Sequence, residues 1–148
     1  MRAMLTEGKI SISAQPGPHR FEDVRVILAP DGVATTKPVT PNFYAELDGE
    51  FNNFSGHILV MWHSFSEAWG MWEMHPMGDE IVVLQEGDVD FVLWRDGEET
   101  VLNINEPGSY VVVPRGLWHT ARPHKKSSMI FFTPGQGTLN AAAPGGEG

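Results

Sequence analysis

No cysteine occurs in the 148 residues. Disulfides, a thiolate metal site and a cysteine nucleophile are thereby excluded. Positive charge is also scarce: 10 Lys and Arg stand against 19 Asp and Glu, a formal net charge of −9. A chain of that sign does not track a phosphate backbone, so nucleic acid is not an expected partner. No apolar run approaches the ~18 residues of a membrane span. Residues 1–13 carry Lys9 with alternating Ile10 and Ile12 but lack the apolar core of a signal peptide. No membrane partner is expected, and a cytoplasmic location is the default. Several catalytic signatures are missing too. Ser64, Ser66 and Ser109 sit in no G-x-S-x-G elbow. No G-x-G-x-x-G follows a strand, and there is no phosphate loop.

What the chain has is turn chemistry: 16 Gly and 11 Pro, in a length that suits one domain with a real core. Phe21 to Ala29 reads as a strand closed by Pro30-Asp31-Gly32. Residues 33–39 read as irregular or weakly extended. Thr40-Pro41 reads as a helix start, Thr as N-cap and Pro in the first position, with Phe43 and Leu47 sharing a face. Phe54 to Phe65 alternates with period two: His57, Leu59, Met61 and His63 on one face, Ile58, Val60 and Trp62 on the other. From residue 69 on, about seven short strands follow at regular turns, which favours an all-β sandwich or barrel.

The chemistry concentrates between Trp69 and Gly87. Glu73 and His75 are two apart, so on a strand they point the same way. Pro76, Gly78 and Asp79 supply a turn, and Glu80 opens the next apolar run, which brings it back beside them. His119, in G-S-Y-V-V-V-P-R-G-L-W-H, is the candidate fourth ligand. Any one of these alone reads better as an exposed strand charge or a satisfied core histidine. Four in this register point to a divalent transition metal held by nitrogen and oxygen donors with open positions left. If Glu80 and His119 face inward, Val82, Leu84, Leu117 and Ala121 share their phase. With Met61 and His63, these are the expected pocket residues. His57 reads as a partly buried strand histidine, and His19 and His124 as solvated. Trp69, Trp72 and Trp118 read as packing residues, the last two facing away from the ligands beside them.

These two stretches resemble the cupin family. Its first motif is Gly, five residues, His-x-His, three or four residues, Glu, six residues, Gly. Here Glu73, His75, Glu80 and Gly87 keep that spacing, with Glu73 in place of the first His and Glu67 in place of the opening Gly. The second motif is matched by Gly108, Pro114, Gly116 and His119, with Pro123 in place of a final Asn. The resemblance covers roughly residues 69–134. It implies a single-domain jelly-roll barrel, the cupin double-stranded β-helix, with an N-terminal extension and one short helix. Residues 1–68 would pack on a barrel of 69–134, and 135–148 would form a flexible tail. It implies Glu73, His75, Glu80 and His119 as metal ligands, iron or manganese favoured over zinc, nickel or copper. A dioxygenase acting on a small organic substrate is the leading expectation. A sugar or keto-compound isomerase or epimerase and a non-catalytic sensor are the alternatives. A homodimer is expected, because Ile81 and Val83 face outward when Glu80 faces in.

Overall fold

A computed structural model describes residues 15–145, together with the backbone of two short strands before them. The elements in chain order are β1 (Ala3–Thr6), β2 (Lys9–Ile12), β3 (Val24–Leu28), β4 (Ala34–Pro38), α1 (Phe43–Glu50), β5 (Ile58–Phe65), β6 (Trp72–Met74), β7 (Glu80–Glu86), β8 (Val89–Arg95), β9 (Glu98–Ile104), β10 (Tyr110–Val113), β11 (His119–Pro123), β12 (Ser127–Thr133) and β13 (Leu139–Ala141). β1 and β2 pair with each other. The rest form a six-stranded sheet, in the order β10-β7-β12-β5-β3-β4, and a five-stranded sheet, in the order β13-β6-β11-β8-β9. All pairings are antiparallel. This is the two-sheet jelly roll.

The core lies between the sheets, and strict alternation builds it. Val82 and Leu84 of β7, Phe91 and Leu93 of β8, Ala121 of β11, and Met129 and Phe131 of β12 are all buried in one cluster. Burying each large apolar side chain contributes about 1.5–3 kcal/mol. Gly87 closes the β7–β8 turn at φ +115°, and a Cβ there would fall 2.6 Å from Ser127 Cα. Only glycine meets both demands.

A second cluster, Ile27, Phe43, Leu47, Phe54 and Leu59, seats α1 across one end of the barrel. The helix starts at Phe43 after Asn42, so Thr40 is not its N-cap. The Thr40 carbonyl instead accepts from Phe43 N in a turn, and its hydroxyl donates to Glu46 Oε1. The apolar pair Phe43 and Leu47 is buried as its spacing predicts.

Three other expectations are corrected. Residues 34–38 are a regular strand: paired to β3, β4 buries Lys37, whose Nζ reaches Glu46 at 2.8 Å and Glu50 at 3.2 Å. The expected boundary at residue 68 has no counterpart, because β3, β4 and β5 are members of the larger sheet. Residues 135–145 are not a loose tail. β13 pairs with β6, matching Leu139 to Met74, Asn140 to Glu73 and Ala141 to Trp72, and Ala141 is buried. Residues 146–148 lie outside the described residues. No helix among the described residues is long and apolar enough to cross a membrane.

Candidate metal centre

Three strands, β6, β7 and β11, bring the four singled-out side chains to one place, His75 standing one residue beyond β6. Glu73 on β6 is the register partner of His119 on β11. Glu80 on β7 is the partner of Val113 on β10. The two motif turns are tied together: Gly116 N donates to the His75 carbonyl at 3.0 Å, and Arg115 N donates to Asp79 Oδ1 at 2.8 Å. The turn residues read from the sequence therefore fix the relative position of His75 and His119.

Glu80 Oε2 lies 3.4 Å from His75 Nε2, and Glu80 Oε1 lies 3.2 Å from His119 Nε2. Glu73 Oε1 lies 3.9 Å from His75 Nε2 and 4.0 Å from His119 Nε2. Ligands about 2.1 Å from a common ion stand roughly 3.0–3.4 Å apart in octahedral or tetrahedral arrangements. The observed spacings need little contraction to fit. Glu73, His75 and His119 form a cluster able to hold a metal ion.

The outer contacts of these rings set where their lone pairs point. His119 Nδ1 is 3.1 Å from the Leu117 carbonyl, an acceptor only, so the proton of the neutral ring sits on Nδ1. His75 Nδ1 is 2.8 Å from Thr138 Oγ1. That hydroxyl spends its own proton on the Gly135 carbonyl at 2.9 Å, so it accepts from His75. Both neutral rings therefore turn a bare Nε2 toward the centre, which is the form a metal requires. Thr133 Oγ1 donates to Glu80 Oε2 at 2.5 Å and leaves Oε1 free. His75 Nε2, His119 Nε2 and Glu80 Oε1 are buried without a hydrogen-bond partner. Buried polar atoms left open like this are costly unless something occupies the space between them.

Before any ion binds, these groups favour one another's charged forms. Burial pushes the Glu80 carboxyl upward, but the two imidazoles outweigh it and hold it at about 2. Burial lowers His119, and the Glu80 carboxylate more than offsets this, so its value is raised. Burial and the neighbouring Glu80 raise Glu73.

Glu73, His75 and Glu80 line a cavity of about 760 Å³ that opens to solvent, while His119 is fully buried and does not line it. Met61 and His63 also line it. Val82, Leu84, Leu117 and Ala121 do not. Val82, Leu84 and Ala121 face inward but sit beneath the site in the sealed core, with no exposed surface. Leu117 lies on the loop before β11 and contributes its carbonyl to His119. His57 turns away, its Nδ1 on the Ser55 carbonyl and its ring against Phe51 and Phe54. Trp72 and Trp118 pack with Val92 and Ala141 on the outer side of the smaller sheet, away from the cluster. Trp69 packs on Phe65, Phe91 and Phe131 and also lines the cavity.

The sequence reading missed Thr133, Thr138, Tyr44 and Asp48. Thr133 was findable, because it continues the inward phase of Met129 and Phe131. The others come from a helix and from the turn just before a three-residue strand, whose placement no local pattern announces.

The described residues thus form a two-sheet jelly roll that carries a His/Glu cluster at the two motif positions. No family model matches the sequence, and no curated protein matches it significantly. Among solved structures, a cupin-2 domain-containing protein from Shewanella frigidimarina is 18% identical, with 52% of this chain and 70% of that one covered, at a TM-score of 0.45. An oxalate oxidase is 19% identical, with 55% and 44% covered, at 0.46. A hydroxypropylphosphonic acid epoxidase from S. wedmorenis, in complex with fosfomycin, is 10% identical, with 53% and 44% covered, at 0.46. The chain spans less than half the length of the last two, and the reading of its chemistry rests on its own residues.

Proposed function

We propose that this chain is a metal-dependent oxidoreductase of the dioxygenase type, acting on a small organic molecule, with Glu73, His75, Glu80 and His119 as ligands. The observation that carries the reading is the set of three buried, unpartnered donor atoms, His75 Nε2, His119 Nε2 and Glu80 Oε1, gathered at the edge of a cavity that His75 and Glu80 line. Two imidazoles and a carboxylate with open positions are the donor set of non-haem iron(II) oxygenases. Glu73 adds a second carboxylate, which favours oxygen-loving ions such as iron(II) or manganese(II) over copper or nickel. The ion would supply Lewis acidity and one-electron chemistry toward dioxygen.

The protein's own residues do the rest. Thr138 and the Leu117 carbonyl hold the imidazoles in the ligating tautomer. Thr133 holds Glu80. Phe131, Trp69 and Met61 keep one side of the floor apolar, which limits water and strengthens the electrostatics of the site. His63 lines the cavity wall, its basicity lowered by burial and by the nearby Arg25. The test is oxygen uptake by iron-loaded protein against a panel of small phenols, diketones and hydroxy acids. Substrate-dependent uptake that vanishes in His75→Ala supports the reading. Tight ligand binding with no turnover across the panel overturns the enzyme assignment in favour of a sensor.

A further inference from the structure

The wall of the cavity, apart from its floor, is specific in what it lacks. Among the described residues no lysine or arginine lines it. The nearest guanidinium, that of Arg25, is covered: it lies 4.7 Å over the Phe43 ring, and its Nη1 donates to Tyr44 Oη at 3.2 Å. Asp48, on the exposed side of α1, puts a carboxylate at the wall instead. Two glutamates on the floor cancel the charge of a divalent ion, so even the loaded site presents no net cation to an incoming anion. Phe54, Leu59, Met61, Trp69, Met71 and Phe131 make much of the wall apolar, with Tyr44, His63 and Asn140 among its polar members. At about 30 Å³ per water, the space equals roughly 25 waters, far more than a two- or three-carbon acid displaces. Trp69 contributes one polar atom, an indole N–H that is buried without an acceptor.

We infer that the cavity selects an uncharged, largely apolar molecule of aromatic size and discriminates against small or anionic acids. This deepens the metal-site reading by naming the substrate class of the same cavity. The body of such a ligand displaces water from the Trp69, Phe131 and methionine wall, where the soft thioethers adapt to its shape. A carboxylate in the same place would face Asp48 and Glu73, and no lysine or arginine lines the cavity to offset them.

The test needs no metal, so it stands apart from the ligand-set reading, which elemental analysis decides by itself. Chelator-treated full-length protein is titrated with 2-naphthamide, 2-naphthoate and acetamide at neutral pH and low salt, followed by calorimetry and tryptophan fluorescence. These probes hold ring and size apart from charge. The expected order is naphthamide at least tenfold tighter than naphthoate, with acetamide too weak to saturate. Asp48→Lys, on an exposed helix position, should narrow or reverse the amide preference while leaving acetamide unchanged. Naphthoate binding as tightly as naphthamide overturns the inference, as does failure of both naphthyl probes to bind.

Discussion

Replacing Thr138 by valine keeps the shape of the side chain and removes the one acceptor facing His75 Nδ1, 2.8 Å away. In the metal-bound form that N–H is then buried and unpaired, at a cost of about 1–3 kcal/mol. The metal-free ring escapes the cost by moving its proton to Nε2, toward Glu80 Oε2 at 3.4 Å. The penalty therefore falls on binding, and at 1.4 kcal/mol per tenfold it weakens metal affinity roughly 10- to 100-fold. The fold itself is little affected, because the Gly135 carbonyl that loses the hydroxyl keeps the Thr138 backbone N–H at 3.2 Å. Competition with a chelator of known affinity, using manganese(II) or zinc(II), measures the first quantity. Thermal melting of the metal-free protein measures the second. Thr138→Ser should restore affinity. Unchanged affinity in Thr138→Val, or a loss that the serine variant fails to rescue, refutes the tautomer argument and with it the role of β13 in the site.

Glu73→His should keep the ion but move selectivity toward copper and nickel, since it trades a hard oxygen for imidazole and leaves the site with one net positive charge. Metal competition reads this, and if both Glu73→His and Glu73→Gln leave selectivity and affinity untouched, Glu73 is not a ligand. Hydrogen bonds from Lys37 and Thr40 lower Glu46 below its ordinary 4.5. Its contribution to stability is thus full above about that pH and is lost as pH falls through the depressed value. Lys37→Met should flatten the fall in melting temperature between pH 6 and 3, and an unaltered profile counts against the α1 clamp. A homodimer is proposed through the outer face of the larger sheet. There Ile81 pairs with Val112 and Val83 with Tyr110, and Ile81, Val112 and Tyr110 are 40%, 46% and 64% exposed. Light scattering should give a dimer that Val112→Glu converts to monomer, and a monomer mass for the unmodified chain at all concentrations overturns it.

The period-two placement of Glu73, His75 and Glu80 around a turn was legible because each strand there alternates cleanly and each turn is marked by Pro, Gly or Asp. The same alternation told which residues face inward but not how deep they lie, which is why Val82, Leu84 and Ala121 proved to be sealed core rather than cavity wall. β4 was hidden by its polar sequence Ala-Thr-Thr-Lys-Pro, whose buried lysine is compensated only by glutamates on α1. β13 was hidden by its length: three residues in a glycine-rich stretch show no period, and their order comes from pairing with β6. Thr138 enters the site through that pairing, a long-range contact that local pattern does not encode.

The most direct measurement is the metal content of the purified chain, by elemental analysis after anaerobic reconstitution with iron, manganese, nickel, copper and zinc in turn. The account predicts about one divalent ion per chain, with affinity falling as pH drops and protons compete with the ion for His119, whose value Glu80 raises. It predicts loss of the ion in both His75→Ala and His119→Ala. A chain that retains none of the five metals, or that retains one unchanged in both variants, contradicts it.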